Sequence, residues 1–487
     1  VLYISPLRAL GNDIQRNLLQ PLAELPRFAQ ITELPSIRVE TRSGDTPQRE
    51  RRKMLRSPPE ILITTPESLN LLLNSRGGQS LLGSLRTVIL DEIHALAGAK
   101  RGTHLITAVE RLVPLSGEFQ RVALSATVQP LDAIADFVGG YTLGGPIETP
   151  VYTKRRVEII QAKGHKTYRV KIHYPASETD QPKKDSVWEP LADAFYTKTQ
   201  RNRSTLVFTN SRKLSEKMAF LVNSAARELV AYAHHGSLAH DLRRQVEARL
   251  KAGDLKAVFA TSSLELGIDI GQLDEVALLQ TPPSISSAVQ RAGRAGHQVG
   301  AASHASIHCT HPGDLVPAAV MGRAVIRQDI EPMVPIQAPL DILAQVIIGM
   351  VALEALDRRE LYQRIRCVAP YHGLSERQFD LVLDMLTGRY AHTRVRELKA
   401  RIAVDGSTGK VQARKGALQA LYMSGGTIPD RGYYTLRHHK NGSRIGELDE
   451  EFVWEAKTGQ VFTLGTQNWQ VRKITASDVF VRPAPGN

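Results

Sequence analysis

The chain has 487 residues, with 62 lysines and arginines against 49 aspartates and glutamates, and a formal net charge of +13. Its length exceeds what one hydrophobic core usually serves, and the basic balance favours a polyanionic partner without proving one. No apolar run is long enough to predict a membrane span, and two cysteines are too few for a disulfide framework or a four-cysteine cluster, so a cytoplasmic protein is expected.

Short apolar runs alternate with helical patterns up to about residue 145, as in a doubly wound α/β domain with a parallel sheet. The predicted strands of this lobe 1 are Val1–Ile4, Ile37–Thr41, Ile61–Thr64, Val88–Leu90 and Arg121–Leu124. The first strand starts at Val1 rather than at a methionine, so we expect the chain to begin inside a domain.

A glycine- and proline-rich stretch predicts a linker at 146–165, after which a second alternation predicts lobe 2 at 166–328. The predicted strands of lobe 2 are Thr205–Phe208, Leu229–Ala233, Ala257–Ala260, Val276–Leu279 and Ala305–His308. Three helical segments, near 338–354, 357–366 and 375–387, then predict a helical domain at 329–403, and short strands between turns predict a β-rich module at 404–487.

Two adjacent carboxylates, Asp91 and Glu92, follow the predicted strand Val88–Leu90 directly. In α/β sheets the carboxyl ends of the strands carry the ligand sites. There the first carboxylate can hold Mg²⁺ against the β- and γ-phosphates of a nucleotide, and the second can orient or deprotonate the attacking water. Carboxylates also cap helices, so the pair alone does not decide between a cap and a hydrolytic site.

Residues after other strands extend this pattern. Ser125 and Thr127 follow the last strand of lobe 1, where their hydroxyls would lie beside the acidic pair and respond to the γ-phosphate. In lobe 2, Gly267 permits a close backbone approach, and Asp269 offers an acceptor for a ribose hydroxyl.

Two arginines, Arg291 and Arg294, are three residues apart, which places them on one face of a helix. Both can then reach a polyphosphate bound to the opposite lobe. An isolated pair of this kind is more often a solvated basic helix, and its position after the other motifs is what favours the functional interpretation.

The ordered motifs resemble the core of superfamily 2 helicases, and details around GDT and DEIH resemble the Lhr type. The segments that carry the resemblance are SPLRAL (5–10), TRSGDT (41–46), TTPESL (64–69), DEIH (91–94), SAT (125–127), VFTNSR (207–212), HHGSL (234–238), ATSSLELGIDIG (260–271) and QRAGRAGH (290–297). The resemblance implies two RecA-like lobes, a winged-helix domain and a β-barrel-like module. It also implies an ATP-dependent helicase that moves 3′ to 5′ on single-stranded DNA and unwinds DNA or RNA:DNA duplexes, in DNA repair.

The same resemblance assigns roles at the nucleotide site. Asp91 would hold Mg²⁺ through water, Glu92 would be the catalytic base, and His94 would couple the nucleotide state to the nucleic acid. The residues that would contact or sense the γ-phosphate are Ser125, Thr127, Gln290, Arg291 and Arg294.

Loops on the opposite face of the two lobes are predicted to contact the nucleic-acid backbone, because hydroxyls, amides and a few arginines suit phosphates. These residues are Ser5, Pro6, Arg8, Arg42, Gly44, Thr65, Pro66, Thr209, Asn210, His235, Gly236, Thr261 and Ser262. Ordinary turns or helix caps are the alternative for each hydroxyl. Trp469 would stack on an unpaired base, with core packing as its alternative. The segment 391–415 carries seven Lys/Arg and two Asp/Glu and is a candidate exit path for the strand, with a solvated basic face as its alternative.

One motif of the family is missing from the sequence. No G-x-x-x-x-G-K-[ST] loop occurs, and the similar stretch Gly406–Lys410 lacks both the spacing and the hydroxyl residue after lysine. We therefore expect this chain to bind ATP poorly and to hydrolyse little of it, and we expect the loop to lie upstream of Val1. An RNA helicase, and a non-catalytic nucleic-acid-binding protein of helicase ancestry, stay open as alternatives.

Overall fold

The structure is a computed structural model. It describes residues 1–29, 37–126, 128–161, 166–175, 187–238, 240–267, 269–295, 302–389, 399–423, 426–427, 433–449, 452–453, 456–464, 467–475 and 477–484. Within these ranges, no helix combines the length and the apolar character needed to cross a membrane.

Lobe 1 is built on a five-stranded parallel sheet with the order β2-β3-β1-β4-β5. Its strands are β1 (Leu2–Ile4), β2 (Val39–Arg42), β3 (Ile61–Thr64), β4 (Thr87–Leu90) and β5 (Gln120–Ala123). Its helices are α1 (Arg8–Ala29), α2 (Gln48–Arg56), α3 (Pro66–Leu73), α4 (Arg76–Leu82), α5 (Lys100–Glu110), α6 (Val113–Ser116) and α7 (Leu131–Gly139). All five predicted strands are present, displaced by at most two residues at their ends.

An antiparallel hairpin, β6 (Tyr141–Gly144) and β7 (Val151–Lys154), follows lobe 1 and crosses the predicted boundary at residue 145. It packs on the later helical domain, since the ring of Tyr141 stacks on that of His372 at a centroid distance of 3.6 Å. The start of the predicted linker is therefore an ordered element.

Lobe 2 contains a six-stranded parallel sheet with the order β10-β11-β9-β12-β13-β8. Its strands are β8 (Tyr168–His173), β9 (Thr205–Thr209), β10 (Ala231–His234), β11 (Ala257–Ala260), β12 (Glu275–Leu279) and β13 (Ser303–His308). Its helices are α8 (Trp188–Arg201), α9 (Arg212–Ala226), α10 (His240–Ala252), α11 (Ile285–Ala292) and α12 (Leu315–Arg327). The edge strand β8 was not predicted, because its alternation of half-buried and exposed residues produces no apolar run.

The helical domain has the helices α13 (Leu340–Met350), α14 (Arg358–Arg366) and α15 (Glu376–Thr387), in agreement with the three predicted segments. A small sheet joins them, formed by β14 (Leu356–Asp357), β15 (Ile402–Val404) and β16 (Lys410–Ala413) in the order β14-β16-β15. This is the arrangement of a winged helix, and its sheet extends beyond the predicted boundary at residue 403. The stretch Gly406–Lys410 connects β15 to β16 through a tight turn.

The β-rich module follows α16 (Ala417–Met423) and contains a mostly antiparallel sheet with the order β18-β17-β21-β20-β19. The strands are β17 (Tyr433–His438), β18 (Arg444–Asp449), β19 (Val461–Leu464), β20 (Gln467–Ile474) and β21 (Asp478–Pro483). The predicted fold class, two RecA-like lobes followed by a winged helix and a β-rich module, is confirmed.

Lobe 1 and the winged helix share one continuous hydrophobic core. It includes Leu105 of α5 in lobe 1 and Ile347 of α13 in the winged helix. Arg111 lies at this junction and donates hydrogen bonds to the Asn74 side chain at 2.8 Å and to the Gly349 carbonyl at 3.0 Å. Because lobe 1 and the winged helix bury apolar side chains against each other in this shared core, the winged helix is fixed to lobe 1 rather than to lobe 2.

Candidate functional site

The acidic pair lies at the carboxyl end of β4, in the centre of the lobe 1 sheet. The Asp91 N–H continues the sheet pairing by donating to the Ile4 carbonyl at 2.9 Å, and the Asp91 carboxylate accepts from the Glu92 N–H at 2.9 Å. Glu92 has φ 48° and ψ 45°, a left-handed conformation that is rare for a residue with a side chain. Such strain is often found at functional sites.

Both carboxylates lie in a partly desolvated environment. Burial raises the pKa of Asp91, against the effect of a hydrogen bond from the Tyr3 hydroxyl. Burial and the nearby charge of Asp91 together raise the pKa of Glu92. A divalent cation would favour the charged form of Asp91, and a carboxylate with a raised pKa suits a general base. The donor set therefore fits Mg²⁺ at Asp91 and a water at Glu92.

His94 lies buried beside this pair. Its Nδ1 is 3.2 Å from the Ser125 hydroxyl and 3.4 Å from a Glu92 carboxylate oxygen. Burial lowers the pKa of His94 to about 4, so its imidazole is neutral at pH 7. Its Nε2 has no hydrogen-bond partner among the described residues. His94 thus connects Glu92 to the loop after β5, while Thr127 in that loop lies outside the described residues.

Lobe 2 presents two arginines on and after α11, both organised by Glu265. The Arg291 Nε donates to the Glu265 carboxylate at 2.9 Å, and the Arg291 guanidinium lies over the Phe208 ring, 5.2 Å from its centroid. Arg294 donates from Nε and Nη2 to the Glu265 carbonyl, at 3.1 and 2.8 Å. The sequence analysis did not identify Glu265. A carboxylate inside the motif SSLELG could have been recognised as a partner for the two arginines.

The two lobes meet at Glu92. The Gly267 backbone N–H and the charge of Arg294 both lie close enough to the Glu92 carboxylate to favour its ionised form. A Cβ atom on Gly267 would lie 2.6 Å from the Glu92 Oε1 and 3.1 Å from the Leu10 Cδ1, so this close approach requires glycine. Arg291, in contrast, is 4 % exposed and paired within its own lobe. Among the described residues, Arg294 is therefore the arginine that faces the acidic pair.

Asp269 also contacts lobe 1. Its backbone N–H donates to the Asp13 carboxylate at 3.1 Å, and its side chain pairs with Lys251 at 2.7 Å. Lys251 lies 3.4 Å from Asp13 as well, which completes a three-residue ionic contact between the lobes. Asp269, the predicted acceptor for a ribose hydroxyl, thus lies at the cleft between the lobes and is paired with Lys251.

A cavity of about 2780 Å³ runs between the lobes and reaches the segment after α12 and the β-rich module. It receives several of the predicted nucleic-acid residues, namely Pro6, Gly44, Thr65, Asn210, Gly236, Thr261 and Ser262. Gln290 and His94 line it too, so the cavity adjoins the acidic pair. Five arginines that the sequence analysis did not single out also line it, among several carboxylates: Arg16, Arg101, Arg212, Arg243 and Arg244.

Other predicted contact residues lie elsewhere. Ser5, Pro66, Thr209 and His235 are buried; the Ser5 hydroxyl donates to the Leu7 carbonyl, and His235 pairs with Glu216 at 2.8 Å. The hydroxyls of Ser5 and Thr209 donate to backbone carbonyls two residues ahead, as in the ordinary turns that the sequence analysis gave as the alternative for each hydroxyl. Arg42 is half-buried and does not line the cavity, and the side chain of Arg8 lies outside the described residues, as does the segment 390–398.

Trp469 does not lie on the surface. It is 8 % exposed and belongs to the core of the β-rich module, with the ring of His438 meeting it edge-on. The indole packs within the apolar cluster that includes Val471, which favours core packing, the alternative given in the sequence analysis, over stacking on a base. An isolated tryptophan in a strand pattern does not reveal which face is covered.

Three family descriptions match successive parts of the chain. They are the DEAD/DEAH box helicase at residues 1–134, the helicase conserved C-terminal domain at 186–298, and the winged helix domain of large helicase-related protein at 323–487. Their order and extents agree with the lobes and the winged helix described above.

Curated relatives match over the whole chain. The Lhr helicase/probable uracil glycosylase of Mycolicibacterium smegmatis is 39% identical across 100% of this chain and 34% of its own length. The ATP-dependent helicase Lhr-Core protein 2 of Thermococcus barophilus is 38% identical across 100% of this chain and 56% of its own. The chain thus spans about a third to somewhat over half of these relatives.

A solved structure matches as well. It is that of Mycobacterium smegmatis helicase Lhr bound to ssDNA and AMP-PNP, with a TM-score of 0.81 and 40% identity, over 96% of this chain and 59% of that one. The likeness in fold therefore extends through both lobes, the winged helix and the β-rich module.

Proposed function

The chain belongs to the Lhr family of DEAD/DEAH-box helicases, and from this premise we propose that the whole protein is an ATP-dependent 3′-to-5′ helicase and translocase on single-stranded DNA. Unwinding of DNA and RNA:DNA duplexes, and a role in DNA repair, are part of the proposal. The binding of ssDNA by the solved Lhr relative supports DNA as the substrate.

One observation carries the proposal: the catalytic carboxylate of one lobe is completed by the other lobe. The backbone N–H of Gly267 and the guanidinium of Arg294 both lie close enough to Glu92 to favour its ionised form, and both belong to the opposite lobe. A site completed only when two lobes close makes hydrolysis depend on their relative position. A motor needs this dependence, whereas a protein that merely displays a basic groove does not.

The residues divide the chemistry as follows. Glu92 orients the attacking water and accepts its proton, helped by the raised pKa that burial gives its carboxylate. Arg294 stabilises negative charge that develops on the transferred phosphoryl group. When bound at Asp91, Mg²⁺ would neutralise charge on the β- and γ-phosphates. Arg291 supports this arrangement indirectly, since its ion pair with Glu265 holds the turn that also anchors Arg294.

The cavity explains how hydrolysis can be coupled to a single strand. Its wall combines hydroxyl and backbone groups with arginines, which bind phosphates without reading base sequence. His94 reaches both this cavity and the acidic pair, and its neutral imidazole contacts Ser125 and Glu92. A shift of the nucleic-acid strand in the cavity can therefore be transmitted to Glu92 through the side chain of His94.

Steady-state ATP hydrolysis by the whole protein, with and without single-stranded DNA, tests this function. We expect DNA to stimulate hydrolysis, and an equal length of RNA to compete less well. The 487-residue chain by itself should bind single-stranded DNA yet hydrolyse little ATP, because its sequence contains no G-x-x-x-x-G-K-[ST] loop. Hydrolysis by the whole protein that ignores nucleic acid would contradict the motor, and a clear preference for RNA would favour the RNA-helicase alternative.

A further inference from the structure

A connecting segment of residues 328–339, here called the strap, joins α12 of lobe 2 to α13 of the winged helix. On the lobe 2 side, the Gln328 side chain donates to the Lys166 carbonyl at 3.2 Å. The Glu331 carboxylate accepts the backbone N–H of Ile285 at 2.6 Å and that of Ser286 at 3.1 Å. The strap therefore caps the first turn of α11 from a position 45 residues further along the chain.

The same strap is held by lobe 1. The Met333 N–H donates to the Gln129 carbonyl at 2.6 Å, in the loop that follows Ser125. The side chain of Met333 packs against Gly98, since its Cγ would be 3.7 Å from a Cβ placed there. Met333, two residues after Glu331, thus contacts the segments that follow β5 and the acidic pair.

The end of the strap is anchored to the winged helix. The Ala338 N–H donates to the Pro370 carbonyl at 2.9 Å, and the buried Tyr371 hydroxyl donates to the Pro339 carbonyl at 2.9 Å. Because the winged helix shares its core with lobe 1, these contacts fix the strap to lobe 1. The contacts of Glu331 then link α11 of lobe 2 to that fixed end.

We propose that Glu331 is a positioning residue, which holds the arginine-bearing helix α11 at a set distance from lobe 1 through the strap. It touches no reacting group, and it acts through the helix that carries Gln290 and Arg291 and leads into Arg294. Its effect on ATP hydrolysis rests on the proposed function, whereas its effect on the order of α11 does not.

The chemistry of the contact supports a specific role. Two backbone N–H groups at a helix N-terminus, together with the helix dipole, favour an anion at this point. Although desolvation acts to raise it, the pKa of Glu331 is held below its usual value by the hydrogen bonds from Ile285 and Ser286. Ser284 also caps α11 locally by accepting from the Ser287 N–H at 3.1 Å, so a variant without Glu331 keeps one cap and is expected to fold.

The first test uses hydrogen exchange on the 487-residue chain, without nucleotide. Glu331→Ala should increase the exchange rate of the amides at the start of α11 by about threefold or more. The matched control is Asp357→Ala, because the Asp357 carboxylate caps α14 with two backbone N–H bonds at 2.8 and 3.2 Å. The control should increase exchange in α14 alone, and unchanged exchange in α11 of the Glu331 variant would overturn the capping role.

The second test measures kcat and KM for ATP in the whole protein with saturating single-stranded DNA. Glu331→Ala should lower kcat about three- to tenfold with a smaller change in KM, Glu331→Gln should recover part of the loss, and Asp357→Ala should keep the wild-type kcat. In an Arg294→Ala background, Glu331→Ala should lower kcat no further, because both changes remove the same positioned arginine. Additive losses would overturn the positioning role. A wild-type protein without DNA-stimulated hydrolysis would instead overturn the proposed function, and the exchange experiment would still decide the role of the strap.

Discussion

Gly267→Ala tests whether the contact between lobes at Glu92 is required for hydrolysis. The added methyl carbon would lie 2.6 Å from the Glu92 Oε1, and an ordinary contact needs at least 3.4 Å, so the carboxylate or the lobe must move by about 0.8 Å. The carboxylate lies at the end of a flexible side chain and is expected to move first. The substitution should therefore displace the proposed catalytic base, Glu92, without unfolding the chain.

The expected magnitude follows from the loss of the polar contact between the Gly267 N–H and the Glu92 carboxylate. A hydrogen bond to a charged group contributes about 1.5–3 kcal/mol. At about 1.4 kcal/mol per tenfold in rate, losing a polar contact of at most this strength should lower kcat by up to about 10- to 150-fold. The measurement is DNA-stimulated ATP hydrolysis by the whole protein, with the melting temperature recorded for each variant.

The outcome separates a local from a global effect. The φ of Gly267 lies outside the left-handed region, so alanine fits its backbone and the melting temperature should not fall. Gly373→Ala is the matched control, because a Cβ atom there meets nothing within 4 Å, and it should retain wild-type kcat. A Gly267→Ala protein with kcat within twofold of wild type would refute the reasoning, as would a loss of kcat explained by a lower melting temperature.

Three further predictions concern the base, the paired arginine and the buried histidines. Glu92→Gln should reduce ATP hydrolysis by about 10²- to 10⁴-fold while DNA affinity in a fluorescence anisotropy titration stays unchanged, and surviving hydrolysis would rule out its role as base. Arg291→Ala should destabilise the chain by about 3–5 kcal/mol in urea unfolding, because it leaves the Glu265 carboxylate without its buried partner; an unchanged midpoint would show that the pair is dispensable. Burial lowers the pKa of His94 and of His104 to about 4, below the ordinary 6.5. Below pH 6.5 the unfolded chain therefore binds more protons than the folded chain. The free energy of unfolding should fall as the pH drops from 6.5 towards 4. At pH 5 the loss is at most about 2 kcal/mol per histidine, and equal urea midpoints at pH 7.5 and 5 would contradict it.

The sequence by itself determined the elements whose signals are local. Apolar runs located ten strands of the two lobes. Seven of them are central strands, which are buried on both faces, and the edge strands β2, β5 and β10 also contain apolar runs. Asp91 and Glu92 were placed at the end of a strand because they directly follow the apolar run Val88–Leu90. The edge strand β8 escaped prediction because it is covered on one side only and its pattern is mixed.

The tertiary structure alone decided which of the candidate side chains meet. Arg291 and Arg294 look equivalent in the sequence, yet one is paired with Glu265 inside its lobe and the other faces Glu92. Trp469 could be exposed or buried until the neighbouring strands showed which face is covered. The capping of α11 by Glu331 is equally invisible in the sequence, because the contact joins residues far apart in the chain. Local periodicity predicts where a strand or helix forms, but partners brought together by folding depend on how the two lobes and the winged helix pack.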